Sequence, residues 1–365
     1  MKINTIKEIK SYIDNLINMY EQNINSTDII NTYLENIDEE ININKLMNKY
    51  KAKEETALYL NMLNLLSVDK NDRYLKSLEK DNKINKIKKL YKKDYINNPY
   101  LKNINISDIK SANWSFYNNK YNPYELFLFD EIKVDENNYY AEINTLAYFD
   151  ELFSYLSIIQ DDVIWMLISP HEISTMENAI KEVNGKVLVY GLGLGYFPYM
   201  ISLKDDVKEI TIIEQDKKAI DLFNKHILNQ FENKDKIKIV NDDAFTYSKN
   251  NLASLDYNYA FFDIYHNVDD GLPYFKEMLS LEKYNKNIKF IYWIEKSLIC
   301  AIRRALIILL EEEYNDSSDN NYKNSKDEFD KLINELHFKL KDYVINNVND
   351  IKTLLKDESI KNLFR

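Results

Sequence analysis

The stretch Lys186-Val-Leu-Val-Tyr-Gly-Leu-Gly-Leu-Gly-Tyr-Phe197 decides how this chain is read. Val187 to Tyr190 is a short apolar run of strand type, and it ends abruptly in Gly191, Gly193 and Gly195. The whole chain holds only 5 glycines in 365 residues, so clustering three of them here marks a constrained feature. Glycine permits backbone angles and close approaches that a Cβ blocks. A buried strand entering such a loop, and then a helix, brings backbone N–H groups against a nucleotide-type ligand.

Downstream, strand and helix patterns alternate. The strand at 186–190 leads into a helix at 196–204, and the strand at 209–213 into a helix at 217–229. The strand at 236–240 precedes Asn241-Asp-Asp-Ala-Phe245. The strand at 258–262 ends at Asp263 and precedes a helix at 272–284, and a strand at 288–293 leads into a helix at 295–312. This alternation predicts an α/β fold with a doubly wound, mostly parallel Rossmann-like sheet, whose ligands bind beyond the carboxyl ends of the strands.

The flanks read differently. Residues 1–120 are expected to form an N-terminal helical domain. Ile3, Ile6, Ile9, Ile13, Leu16, Ile17 and Tyr20 keep helical spacing, Ser26-Thr-Asp28 caps a next helix, and Ala57 to Leu66 supplies a third. Residues 121–185 are expected to hold a β-hairpin, Tyr124–Val134 against Tyr139–Leu146, then a strand at 163–168. Ser169-Pro170 there opens a bridging helix through Val183. Residues 186–312 are expected to form a Rossmann-like cofactor-binding domain. After a polar loop at 314–321, residues 313–365 finish as a C-terminal helical cap, with Phe329, Leu332, Ile333, Leu336 and Leu340 in helical register.

A net charge of −11 argues against a nucleic-acid partner, because such binding rests on Lys and Arg neutralising phosphates. The densest basic stretch, Lys83–Lys93, reads as the solvated face of a helix. The single cysteine, Cys300, rules out an internal disulfide, fits a reducing compartment and sits in an apolar run as core. Ile299–Leu310 is interrupted by Arg303-Arg304 well short of the ~20 residues a membrane span needs. A cytoplasmic chain with no membrane contact is expected, and the helical flank could serve a homo-oligomer. The 4 histidines show no metal-ligand spacing, so no metal is expected.

The strand ends carry the candidate chemistry. The dinucleotide pattern G-x-G-x-x-G fails because Tyr196 replaces its last glycine. G-x-G-x-G suits S-adenosylmethionine, with the loop under the amino-acid part and ribose. Glu214, at the tip of the second strand, is placed for the ribose hydroxyls, with Gln215 beside it. Asp216 reads as a helix cap. Asp243 and the Ala244 N–H are placed for an adenine, with Phe245 packing on it. Tyr190 joins the cofactor-facing set. Asp263 ends the fourth strand opposite the reacting end of the cofactor, where Tyr265 or His266 could orient a nucleophile or take its proton. Asp269 and Asp270 read as helix caps, or as ligands for a cationic substrate. His171 and Glu172 start a helix that could border the pocket.

Together, Val187–Gly195, Ile213–Asp216, Asp242–Phe245 and Tyr259–Asp263 resemble the S-adenosylmethionine-dependent methyltransferase superfamily, and most closely its spermidine synthase branch. The resemblance covers about 186–294. It implies a transferase acting on a small-molecule or protein substrate. Val189 stands where many methyltransferases carry an acid, as it does in polyamine synthases. The Asp-Ser-x-Asp-Pro segment of those synthases is absent after the fourth strand. Tyr139-Tyr-Ala-Glu142 resembles their Tyr-x-Glu substrate loop. Methyl transfer is the leading expectation. Aminopropyl transfer from the decarboxylated cofactor, or a non-catalytic cofactor-binding protein, are the alternatives.

Overall fold

Five short apolar strands form the centre of the molecule, which is known from a computed structural model describing residues 1–4, 6–36, 40–105, 110–111, 114–160, 163–315 and 325–365. We label them β1 (Gly185–Tyr190), β2 (Val207–Glu214), β3 (Ile237–Asn241), β4 (Tyr259–Phe262) and β5 (Lys289–Tyr292). All neighbouring pairs are parallel, in the order β3-β2-β1-β4-β5. Val187–Tyr190 of β1 pairs with Ile210–Ile213 on one side and Tyr259–Phe262 on the other. Those four β1 residues are at most 1% exposed, which is why they read as an unbroken apolar run. The order turns back between β1 and β4, so a crevice opens there at the carboxyl ends.

The connecting helices are α1 (Tyr196–Ser202), α2 (Lys217–His226), α3 (Ala244–Asn251), α4 (Val268–Glu282) and α5 (Glu295–Tyr314). Their ends lie within a few residues of the sequence expectation, as terminal turns usually do. Asp216 caps α2 by accepting from the Lys218 N–H at 2.7 Å. The helix Pro170–Glu182 starts as expected, with the Ser169 hydroxyl accepting from the Glu172 N–H at 3.2 Å. α5 is buried along much of its length. It packs against the long helix Lys7–Glu35 and the C-terminal helix Glu328–Lys339. Cys300 is core, 2% exposed, and burial pushes its thiol up to about 12. No helix among the described residues is long and apolar enough to cross a membrane.

The flanks depart from the sequence reading in four places. Ser26-Thr-Asp28 does not cap a helix; it lies inside the continuous helix Lys7–Glu35, where the buried Ser26 hydroxyl bonds back to the Asn23 carbonyl. The basic stretch Lys83–Lys93 is not a helix face, because Ile87–Leu90 is a strand paired in parallel with Leu146–Phe149. The expected hairpin is split. Only Lys133–Asp135 pairs with Ala141–Ile143, while Phe127–Leu128 pairs with Leu146–Phe149. Lastly, the N-terminal region is not all helix. Trp114–Tyr121 and Phe153–Gln160 form a long antiparallel pair, extended by Lys110–Ser111 and Val163–Leu167.

The C-terminal region adds helices Glu328–Lys339, Val348–Leu354 and Asp357–Asn362, and a strand Val344–Ile345 that pairs with Lys2–Ile3 near the N-terminus. Most of the polar loop expected at 314–321 lies outside the described residues.

Glu142 and Arg304 tie the Ala141–Ile143 strand to α5. The Arg304 Nε donates to Glu142 at 3.0 Å and its Nη2 makes a second bond to the same carboxylate, which is 2% exposed. Removing one member of a buried pair leaves the other charge uncompensated. Glu142→Ala is therefore expected to cost about 3–5 kcal/mol in urea unfolding; a loss below about 1 kcal/mol would show that the pair contributes little net stability.

Candidate functional site

The chain leaves β1 at Tyr190 with positive φ at Gly191 (94°) and Gly193 (49°), a region open chiefly to glycine. A Cβ on Gly191 would overlap the Asp263 carbonyl, and one on Gly193 would overlap the Met166 sulfur. The loop is thus pressed between the end of β4 and the strand Val163–Leu167. The Gly191 N–H donates to the Ile213 carbonyl at 2.9 Å, and the Asp263 N–H donates to the Tyr190 carbonyl at 3.0 Å. Three strand ends are held in register by these bonds.

Glu214 closes the loop from the β2 side. Its carboxylate accepts from the Leu192 N–H at 3.2 Å and the Asp216 N–H at 2.7 Å. Burial pushes its pKa up, and those two bonds offset only part of the rise. Each carboxylate oxygen keeps a further acceptor site. Past β3, Asp243 caps α3 by accepting from the Thr246 N–H at 2.8 Å, and the Phe245 ring stands 5.8 Å from that of Tyr274.

These groups surround one cavity of about 610 Å³. Gly191 and Gly193 come from the loop, and Glu214 and Gln215 from the β2 end. Asp243, Ala244 and Phe245 follow β3; Asp263, Tyr265 and His266 follow β4. Two expected members do not reach it. Tyr190 is fully buried, and its hydroxyl shares a hydrogen bond with Ser248 on α3 at 2.7 Å. Gly195 instead begins α1, against the Phe223 ring.

The side chains after β4 are differently engaged. The Tyr265 hydroxyl donates to the Trp293 carbonyl at 2.5 Å, and burial holds its pKa far above the usual value. His266 is exposed, with Nδ1 2.8 Å from Asp270. Asp270 also accepts from the His266 and Asn267 N–H groups, completing a capping box with Asn267 at the start of α4. Burial raises the Asp270 pKa, but these bonds outweigh it and the net shift is downward. Asp270 serves as a cap, as the sequence suggests, and Asp269 sits beside it in the first turn.

The wall also includes Glu172, from the helix start read as a candidate border of the pocket, and Met166, Met176, Tyr274 and Trp293, which the sequence did not single out. Trp293 directly follows β5, so the strand-end rule that picked out Asp263 applies to it equally. Glu172 stands one turn before Met176 on the same helix face, a spacing the sequence contains. Glu142, by contrast, pairs with Arg304, and the Tyr139–Glu142 segment lies outside the wall of this cavity.

Asp263 and Glu172 stand apart from the other acids. Burial alone raises Asp263 to about 7. Glu172 is raised well above the usual carboxylate range by burial first, and then by the charge of Asp263. Neither carboxyl has a hydrogen-bond or ion-pair partner among the described residues.

The sequence matches no protein-family model and resembles no curated protein closely enough to register. Solved structures with a similar local fold include the spermidine synthase of Thermotoga maritima, at TM-score 0.29 and 14% identity, covering 42% of this chain and 58% of that one. A protein assigned as a methyltransferase and complexed with SAH gives TM-score 0.28 and 16% identity, covering 38% of this chain and 39% of that one. One from Staphylococcus aureus, assigned as a caffeoyl-CoA O-methyltransferase, gives TM-score 0.27 and 17% identity, covering 39% of this chain and 69% of that one. The chain thus spans less than two thirds of the first two.

A carboxyl whose folded pKa is raised stabilises the fold at low pH, and that contribution is lost as pH rises through the folded value. For Asp263 the window runs from 3.8 up to about 7. Asp263→Asn is therefore expected to raise the melting temperature of the unliganded protein at about pH 8 relative to about pH 5, each against wild type. An equal effect at both pH values by scanning calorimetry would show that Asp263 is not a strained carboxyl.

Proposed function

We propose that the chain is an S-adenosylmethionine-dependent transferase whose cofactor lies at the carboxyl edge of the sheet, across the crevice between β1 and β4. The leading reaction is methyl transfer. The observation that carries this reading is that Gly191, Gly193, Glu214, the Asp243–Phe245 segment and Asp263 all face one cavity. That arrangement supports the doubly wound reading of the strand order and the cofactor-binding assignment of residues 186–312.

The residues present fit such a cofactor. Gly191 and Gly193, free of a Cβ, let the loop lie against the end of β4 and the strand Val163–Leu167 and line the cavity there. Glu214 retains acceptor capacity for two ribose hydroxyls, and Phe245 with Tyr274 offers an aromatic wall for a base. A bound sulfonium supplies an electrophilic carbon without a metal. The protein's own contribution is then to align an acceptor and take up its proton. Tyr265 is poorly suited to be that base, since its proton is committed to the Trp293 carbonyl. Asp263 is better placed, with a free carboxyl in the cavity and a pKa near 7.

A specific observation favours a second reading, aminopropyl transfer. Among the described residues the cavity wall has no Lys or Arg to pair with the carboxylate of the intact cofactor, and Val189 lines it beside the loop.

Calorimetric titration with S-adenosylmethionine, its decarboxylated form and S-adenosylhomocysteine tests both. Binding of the intact cofactor, weakened on the order of tenfold in Glu214→Gln through loss of charge-assisted bonds to ribose, is expected. Preference for the decarboxylated form would select the second reading. No binding of any of the three would contradict both.

A further inference from the structure

Glycines allow the loop after β1 to take its path, but they do not make it choose that path. Gly191, Gly193 and Gly195 have φ of 94°, 49° and 74°, and a residue without a Cβ visits other regions about as readily. Other residues must therefore hold the loop in place. The Gly191 and Leu192 N–H groups are held from β2, by the Ile213 carbonyl and the Glu214 carboxylate, and the Gly195 N–H turns back to the Leu192 carbonyl. Beyond Leu192, no strand of the parallel sheet bonds to the loop among the described residues.

Leu194 is held instead from two elements outside that sheet. Its carbonyl accepts from the Tyr100 hydroxyl at 2.5 Å, and its N–H donates to the Met166 sulfur at 3.0 Å. Leu194 and Tyr100 are both fully buried, so water does not compete for the bond between them. The two Leu194 groups belong to the peptides on either side of it, and fixing both fixes the course of the chain from Gly193 into α1. Among the described residues, the Gly193 N–H is the loop donor left without an acceptor, and Gly193 lines the cavity.

Tyr100 reaches the loop because its own helix, Pro99–Asn103, is docked there. The Asn98 side chain accepts from the Tyr100 and Leu101 N–H groups at 3.0 and 3.3 Å, and its amide donates to the Tyr196 hydroxyl at 2.9 Å. At the other end of the helix the Asn103 amide donates to the Tyr199 hydroxyl at 2.9 Å. The Tyr100 ring meets Tyr196 and Tyr199 edge-on, with centroids 5.5 and 5.4 Å away. Packing alone would be satisfied by a Phe at this position. The hydroxyl has one partner, and it is the loop.

We propose that Tyr100 is a positioning residue for the cofactor: through the Leu194 carbonyl it sets the loop, with Met166 holding the same residue from the other side. This rests on the cofactor reading given above. It gives the N-terminal region a role in the site, although no residue before Ile164 lines the cavity. Without the hydroxyl the buried Leu194 carbonyl loses its partner, and the loop spreads into other glycine conformations. Only part of the population then has the binding-competent loop, and apparent affinity falls by that fraction.

The test compares Tyr100→Phe with Tyr199→Phe in the full chain. Each removes one buried tyrosine hydroxyl from the same interface, but only the Tyr100 hydroxyl bonds to the loop. Affinity for S-adenosylhomocysteine is measured by calorimetric titration below both melting transitions. Deuterium exchange of the loop amides is followed by mass spectrometry without ligand. Tyr100→Phe is expected to weaken affinity on the order of fivefold or more and to speed exchange at 191–195. Tyr199→Phe should stay within about twofold of wild-type affinity, even where it lowers the melting temperature as much. If Tyr100→Phe does not fold, Met166→Leu takes its place with the same expectation, because it keeps the volume and removes the sulfur acceptor. Unchanged affinity, unchanged exchange at 191–195, or equal losses in both tyrosine variants would each overturn the proposal. Failure of wild type to bind S-adenosylhomocysteine would instead count against the cofactor reading, while the exchange comparison still decides whether Tyr100 holds the loop.

Discussion

The close approach of Gly191 to the carbonyl of Asp263 is the constraint on which the site depends. With a Cβ at 191 the first loop could not lie against the end of β4. The bonds from the Gly191 N–H to Ile213 and from the Asp263 N–H to Tyr190 would then lose their register. Those bonds bring the ends of β2, β1 and β4 to one edge, so Glu214 and Asp263 face the same space. The apolar strands beneath make that edge rigid. Rigid elements carrying a concave, partly polar mouth are where ligand sites are expected in open α/β sheets.

Electrostatics then divides the acids of that mouth into two kinds. Asp270, engaged as a helix cap, has a lowered pKa, while Glu214 stays raised by burial despite the loop N–H groups it holds. Asp263 and Glu172 have no such bonds, and burial raises both. Strain of this kind persists where it serves a ligand. The cavity therefore combines a pre-formed cradle with two carboxyls that have no hydrogen-bond partner among the described residues.

Much of this was legible in the sequence, for physical reasons that differ by region. β1, β2 and β4 were readable because the centre of a parallel sheet is buried on both faces, and the edge strands β3 and β5 because they alternate with helix patterns. The three glycines and the acids Glu214, Asp243 and Asp263 were readable because strand ends in such sheets converge. What failed depended on long-range pairing. Trp114–Tyr121 contains Asn118-Asn-Lys120 and has no clear alternation, and its identity as a strand comes from pairing with Phe153–Gln160. Ile87–Leu90 hides among lysines because exposed Lys88 lies over the Phe129 ring while half-buried Lys89, on the other face, pairs with Glu54 and Asp150. Tyr190 was misplaced because its ring turns toward Ser248 rather than the loop. Glu172 could be read equally as helix-start polarity or as a border of the pocket, and its place in the cavity wall with Asp263 favours the second.

A crystal structure of the protein with S-adenosylhomocysteine bound would test the central claim most directly. The account predicts the ribose hydroxyls on the Glu214 carboxylate, the base between Asp243 and Phe245, and the sulfur directed toward Asp263 and Glu172. Binding outside the glycine crevice, or a pose in which Glu214 makes no contact with the ribose, would contradict it.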